Sequence, residues 1–230
     1  MVKAQERGTR IHDRIRLDIL HGTWAPGQKL QPTTLSGIYD TSTTVVREAL
    51  TRLAGENFLE VEPNRGFFVP LLSLNVLRDL TEVRCRTESL AAELAIERGD
   101  LDWESDLIAA HHQLSRTPRR GTDDPEHVAD NWSEVHRNFH AKLIEACRVP
   151  VLIELSRRLS DSTELYRRWA APSPAASSRD VEREHEELLA AALGRDAALT
   201  SALLRDHYEK TVQVVLESGL AEGVEGTANA

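Results

Sequence analysis

The sequence predicts a mainly α fold in two parts, and three observations carry that prediction. Between residues 34 and 69 a short helix, a polar turn, an amphipathic helix and a two-stranded hairpin follow one another with almost no spare residues. That order builds a winged helix-turn-helix. From Leu74 onward apolar positions recur at helical spacing and strand patterns disappear. Breaks at Gly99-Asp100, 118–125, Val149-Pro150, 170–178 and Gly194-Arg195-Asp196 divide this stretch into six helices, forming an all-α six-helix bundle. The 230 residues and 40% hydrophobic content suffice for two units, each with its own core. The predicted boundaries are 1–72 for a winged helix-turn-helix DNA-binding domain and 73–220 for an all-helical domain, with 221–230 a disordered tail.

The first helix carries Ile11, Ile15, Leu17, Ile19 and Leu20 as an inward stripe, interleaved with Arg10, Arg14 and Arg16, and ends at His21-Gly22. Trp24-Ala25-Pro26-Gly27 is a turn, because proline presets one φ and glycine permits a positive one. Leu30 resumes the core. Thr33 or Thr34 is the expected cap of a short helix through Ile38, and Tyr39-Asp40-Thr41-Ser42 leads into a second helix from Thr43 to about Ala54. On this helix Val46, Ala49, Leu50 and Leu53 share the inward face. Thr43, Thr44, Arg47 and Thr51 are left outward, where the first turns of a recognition helix meet base edges and phosphates. Pro63-Asn64-Arg65-Gly66 turns between strands at 58–62 and 67–69, and Arg65 at its tip is placed to reach phosphate or minor groove.

Charge is uneven along the chain. Residues 1–72 hold nine Lys/Arg against eight Asp/Glu, and residues 73–230 hold nineteen against twenty-nine, so the two parts carry +1 and −10. A net charge of −9 excludes a sequence-blind coating of DNA. Attraction must come from local placement of Lys3, Arg7, Arg10, Arg14, Arg47, Arg52 and Arg65, which makes binding specific and salt-sensitive. No apolar run reaches the roughly 18 residues that span a bilayer, and the N-terminus has no signal-peptide pattern, so the expected location is cytoplasmic, with no membrane partner. Cys85 and Cys147 lack ligand spacing and are expected as free thiols.

In the predicted bundle, with helices near 75–98, 102–116, 126–147, 151–169, 179–194 and 196–217, the chemistry concentrates on histidines. His136 and His140 are one turn apart on a face shared with Trp132, Phe139 and Leu143. His185 lies on the stripe of Val181, Leu188, Leu189 and Ala192, and His207 on that of Leu203, Leu204 and Val214. One such inward imidazole is ordinarily a hydrogen-bonded core residue. Four on three helices have two solutions, separate bonds to carbonyls or water, or one shared divalent cation. Arg84 and Glu88 are one turn apart in the first bundle helix, either as a structural ion pair or as a cation ready for a carboxylate ligand. Trp132 and Asn131 are candidates to line the same cavity. His111 and His112 have no assigned role, and His12, His21 and His127 are expected at the surface.

Pro26-Gly27, Leu30, Leu35, Ser42, Val46-Arg47-Glu48-Ala49-Leu50, Leu53 and Pro63-Asn64-Arg65-Gly66 resemble the GntR family of bacterial transcription regulators over residues 9–70. The resemblance implies a homodimer on a short palindromic operator of double-stranded DNA, the second helix in the major groove and Gly66 against the backbone. The chain departs from the usual pattern, with Thr43 where most members have arginine and Asn57 where they have glycine. Asn138-Phe139-His140, His185-Glu186-Glu187-Leu188-Leu189 through Asp196, and His207 resemble the FCD effector domain of the FadR-like subgroup over 75–217. Many members hold Zn, Ni or Mn with one aspartate and three histidines. His140, His185 and His207 match the histidines, and His136 stands where the aspartate is usual. An all-nitrogen set favours Zn or Ni over Mn. The implied function is a regulator, with repression relieved by a small carboxylate effector sensed through the metal. Two other readings stay open: a metal-dependent enzyme with Glu134, Glu184 or Glu186 as general base, against which stand the absence of HExxH and the presence of the 34–69 segment, and a metal-free regulator with an organic pocket.

Overall fold

The computed structural model describes the backbone of residues 2–219 and side chains from residue 9 onward. The predicted tail 221–230 lies outside the described residues, as do the side chains of Lys3 and Arg7. The head consists of α1 (Val2–Leu20), β1 (Lys29–Leu30), α2 (Pro32–Ile38), α3 (Thr43–Gly55), β2 (Glu60–Glu62) and β3 (Gly66–Phe68). Ile15, Ile19, Leu35, Val46, Leu50 and Leu53 are at most 1% exposed and form its core with Phe58 and Phe67. Leu17, read into the inward stripe, is only half-buried.

The expected threonine cap of α2 is corrected: Pro32 opens the helix and Gln31 stands at the cap without a side-chain bond. Proline there needs no N–H partner and has its φ preset, so a hydroxyl is dispensable. Ser42 caps α3, its Oγ accepting from the Val45 N–H at 3.3 Å. The first hairpin strand is shorter than expected, because Asn57 turns the chain at φ 63° and Phe58 and Leu59 drop into the core before pairing begins at Glu60, and the second is shifted by one residue to Gly66–Phe68. Asparagine is among the few side chains that tolerate this left-handed conformation, which explains how it replaces glycine. The sheet has the antiparallel order β1-β3-β2, with Leu30 opposite Phe67 and Val61 opposite Phe67. The strand β1 was not expected from the sequence, since two residues carry no alternation to read. At the wing tip Gly66 has φ 108°, a conformation that side chains rarely adopt.

The body contains α4 (Leu74–Arg98), α5 (Leu101–Arg116), α6 (Asp130–Glu145), α7 (Pro150–Ala170), α8 (Pro174–Ser178), α9 (Val181–Leu193) and α10 (Ala197–Glu217). Ser73, Asp100, Asp180 and Asp196 cap α4, α5, α9 and α10 through side-chain oxygens. The tight α4–α5 corner needs Gly99, because a Cβ there would stand 2.3 Å from the Trp103 ring. The central helix α4 lies against α10, α7 and α6. Two expectations are corrected. The third helix starts at Asp130 rather than near 126, because Val128 bridges Arg120 and the Ala129 N–H bonds to the Arg119 carbonyl at 2.9 Å, holding 126–129 extended. The connection at 170–178, expected as a break without a helix of its own, contains α8, which is capped by Ser173 and anchored by buried Ala176. Cys85 and Cys147 are buried free thiols. Among the described residues no helix is long and apolar enough to cross a membrane.

Head and body meet along α1 and α7. Leu165 of α7 joins the head core, and the Trp169 Nε1–H donates to the Ile19 carbonyl at 3.0 Å. Beside them the carboxylate of Glu164, fully buried, accepts from Arg16 of α1 at 3.2 Å, Arg137 of α6 at 2.5 Å and Arg168 at 3.1 Å.

Candidate metal centre and nucleic-acid interface

The structure brings His136, His140, His185 and His207 together from α6, α9 and α10. Each is at most 5% exposed, and one potential ligand atom from each lies within 4.8 Å of all the others. Tetrahedral coordination at roughly 2.0 to 2.1 Å would bring such nitrogens to about 3.3 Å from one another, so small side-chain movements close the set. Burial is the first cause that lowers the pKa of all four, and neighbouring cations add to it. His207 is held at about 4 despite the opposing pull of Glu184. Neutral imidazoles are the form that binds metal.

Hydrogen bonds to the outer nitrogens set the tautomers. The Glu184 Oε2 lies 2.7 Å from His207 Nδ1 and accepts a hydrogen bond from its N–H, which leaves the lone pair on Nε2. Burial disfavours the Glu184 anion, but Arg179 and His207 more than offset that and keep its carboxyl well below the usual range. Tyr208 donates its hydroxyl proton to Glu88, and its oxygen lies 3.3 Å from His140 Nδ1. His140 then carries its proton on Nδ1. The Nε2 atoms of His140 and His185 are buried with no hydrogen-bond partner among the described residues. Orphaned buried acceptors directed to one centre fit a divalent cation better than separate carbonyl partners do. His136 is different: its Nδ1 faces Arg167 Nη1 at 3.4 Å, and its ring stacks on Trp132 with centroids 4.6 Å apart.

A narrow cavity opens beside the cluster, lined by Arg84, Arg119, Trp132, Arg167, Arg179 and Tyr208 among others. Arg84 is buried, donates to Glu88 at 2.7 Å and to Thr163 at 3.0 Å, and lies 4.0 Å over the Tyr208 ring. Arg84 is thus a buried ion-pair partner of Glu88 that also lines the cavity. Trp132 lines the cavity. Asn131 does not: it is exposed, with its carboxamide oxygen accepting from the Trp132 N–H at 2.9 Å. Tyr208 and Arg167, which line the cavity, and Glu184, which bonds His207, were not singled out for these places from the sequence. Glu184 and Tyr208 each adjoin one of the four histidines in the chain, a usable signal, whereas Arg167 sits on α7, which has no histidine.

His12 is corrected from surface to interior: it is 5% exposed and bonds Asp13 at 2.8 Å and Glu56 at 2.9 Å, the latter 44 residues away and invisible to local pattern. His21 is exposed and His127 half-buried. His111 is half-buried against Phe139, and His112 is exposed.

In the head, Val46, Ala49, Leu50 and Leu53 are buried while Thr43, Thr44, Arg47, Thr51 and Arg52 are exposed on α3. Thr51 returns its hydroxyl to the Arg47 carbonyl at 2.8 Å. Arg65 at the wing tip pairs with Glu62 and lies 5.2 Å over the Phe68 ring. An exposed cationic helix beside a cationic hairpin tip is the surface a winged helix presents to a duplex.

Comparison with known proteins decides the family. Residues 7–69 match the model of bacterial regulatory proteins of the gntR family, and residues 79–210 match the FCD domain. The chain belongs to the GntR family, with an FCD effector domain. This GntR protein is 36% identical to the HTH-type transcriptional regulator BphR of Paraburkholderia xenovorans over 90% of its length and 84% of that protein's. It is 30% identical to the HTH-type transcriptional repressor GlaR of Escherichia coli, covering 89% and 93% of the two chains. The solved structure of E. coli McbR/YncC shares its fold, with a TM-score of 0.69, 21% identity and coverage of 91% and 97%. The GntR protein is thus a DNA-binding transcription regulator; the enzyme reading falls, since the relatives are regulators.

Proposed function

We propose that this GntR regulator is a homodimeric repressor that reads a palindromic operator through Thr43, Thr44, Arg47, Arg65 and Gly66, and releases it when a small carboxylate binds in the FCD cavity. The convergence of four neutral buried histidines beside Arg84 carries this reading. His136, His140, His185 and His207 would hold Zn or Ni, and their all-imidazole chemistry disfavours Mn. Held by the four imidazoles, the ion would act as a Lewis acid towards a carboxylate oxygen, taken on as an additional ligand. Arg84 orients that carboxylate, Trp132 walls the cavity, and Glu184 and Tyr208 keep the imidazoles of His207 and His140 in the binding tautomer. Val76, Val83 and Leu90, each 46–49% exposed at seven-residue intervals on α4, give the dimer an apolar stripe to bury.

Effector binding would change operator affinity by a coupling free energy of typically ~1 to 3 kcal/mol. The test is fluorescence anisotropy with a labelled fragment of the protein's own promoter, with and without zinc and short carboxylates. His140→Ala should lower metal content and ligand response together. A full ligand response in His140→Ala protein that holds no metal would support the metal-free reading instead.

A further inference from the structure

We infer that a second effector site lies in the seam between head and body, and that it takes an uncharged molecule with an apolar body of one or two rings and one hydroxyl or carbonyl group. A cavity of about 480 Å³ opens there. Arg16, Glu56 and Phe58 of the head line it together with residues of α4, α6 and α7. Small-molecule pockets run from roughly 300 to 1,000 Å³, and a void of roughly 150 Å³ already accepts one benzene ring. The site does not depend on a metal, because of the four clustered histidines only His140 reaches its wall.

The wall is apolar at its base and holds one unused hydrogen-bonding group. Phe58 and Ile144, 1% and 3% exposed, line it with half-buried Ile153. Ser156 also lines it, is 4% exposed, and has its Oγ buried with no hydrogen-bond partner among the described residues. A helical serine can return its hydroxyl to the carbonyl one turn back, as Ser162 of the same helix does to Arg158 at 3.0 Å. Ser156 does not, and an unpaired buried hydroxyl is costly. A ligand hydroxyl or carbonyl set against it removes that cost.

Charge decides the ligand class. Arg84 pairs with Glu88 at 2.7 Å, Arg157 with Asp161 at 3.0 Å, and Arg16 and Arg137 both reach Glu164 behind the wall, at 3.2 and 2.5 Å. Glu56 faces His12 at 2.9 Å. Four arginines thus stand against four carboxylates. A charged ligand would lose its hydration here without gaining a counter-ion, a cost that an uncharged one escapes. The cavity beside the histidine cluster is the opposite case, since Arg84, Arg119, Arg167 and Arg179 line it with no carboxylate among them. One wall of the seam cavity belongs to the head and the other to the body. A molecule that favours one arrangement of the two therefore biases DNA binding.

Fluorine NMR titration of the full chain with chelator present tests this, using 4-fluorobenzyl alcohol, 4-fluorotoluene, 4-fluorobenzoate and 4-fluorobenzylamine. The four share one ring and differ in charge and hydrogen bonding. The alcohol should bind roughly fivefold or more tightly than the benzoate or the amine. Ser156→Ala should weaken the alcohol about fivefold, as for one lost hydrogen bond, and leave the toluene within about twofold. Ser160→Phe, at a half-buried position in the wall, should fill the cavity and abolish binding of both. Saturating alcohol should change affinity for the labelled promoter fragment about threefold or more in the wild type and not in Ser160→Phe. Equal or tighter binding of the benzoate would overturn the inference, as would no binding of the alcohol, indifference to both folded variants, or unchanged promoter affinity at saturation. Displacement of the alcohol by the benzoate in zinc-loaded protein would place both in one cavity and overturn it too. Where a variant fails to fold, the four-compound comparison on the wild type decides. A promoter fragment that does not bind at all counts against the operator reading alone, and the same comparison then decides the cavity.

Discussion

At the scale of single residues, the proposed metal site depends on hydrogen bonds to the far nitrogens of the histidine rings. Glu184 accepts from the Nδ1–H of His207 and Tyr208 stands at Nδ1 of His140, which leaves Nε2 of both rings available to the proposed ion. Glu184→Gln keeps an acceptor but loses the charge. Zinc affinity should fall about 10- to 100-fold, the usual effect of such partners, measured by competition with a chelating dye; unchanged affinity would show that His207 is not a ligand. The four histidines were legible in the sequence because helical spacing places them inward, and inward imidazoles are chemically conspicuous. Asn131 was placed wrongly within its helix, since it neighbours Trp132 in sequence yet points to solvent. Arg167 was illegible because nothing local distinguishes it from Arg157 or Arg158 on the same helix, which pair at the surface with Glu154.

At the scale of elements, the recognition helix follows from one stripe. Val46, Ala49, Leu50 and Leu53 bury one face of α3, and this fixes Thr43, Thr44 and Arg47 on the other. Arg47→Ala removes an exposed side chain with no structural partner role evident, so the melting temperature should stay within the scatter of surface changes, about ±0.5 kcal/mol in stability. Operator affinity should drop by roughly 1 to 3 kcal/mol, as for a lost base or phosphate contact. Anisotropy titrations at fixed salt measure it, and wild-type affinity in the variant would remove α3 from the interface. Helices were readable from periodicity and capping residues such as Ser42, Asp100 and Asp196. The strand β1 and the short helix α8 were not, because each is too brief for a period and is fixed by partners distant in sequence.

At the scale of the whole molecule, Glu164 ties the cavity wall to the head. Its carboxylate binds Arg16 of α1, one turn from the guanidinium of Arg167 that lines the cavity, and Arg16 lies 4.6 Å over Phe58 in the head core. Burial alone would raise the Glu164 pKa, but Arg167, Arg137, Arg16 and Arg168 outweigh it and hold the carboxyl below its ordinary value. A depressed folded pKa contributes stability that is complete above the unfolded pKa of about 4.3 and is lost as pH falls through the folded value. Glu164→Gln should therefore cost about 3 kcal/mol at pH 7, as for a broken buried ion pair, and should weaken the effector's influence on the head. Thermal melts at pH 7 and pH 3 would show the wild type losing more stability on acidification than the variant; parallel curves would mean that Glu164 does not act as a charged tie. This link between head and body could not be read from sequence, since Arg16 and Glu164 are 148 residues apart. The central claim, that the four histidines form one metal centre, is tested most directly by elemental analysis of full-length protein purified without a histidine tag and dialysed against trace metals. The expected result is one zinc or nickel ion per chain, falling to a small fraction in His140→Ala. No stoichiometric ion in the wild type would contradict it.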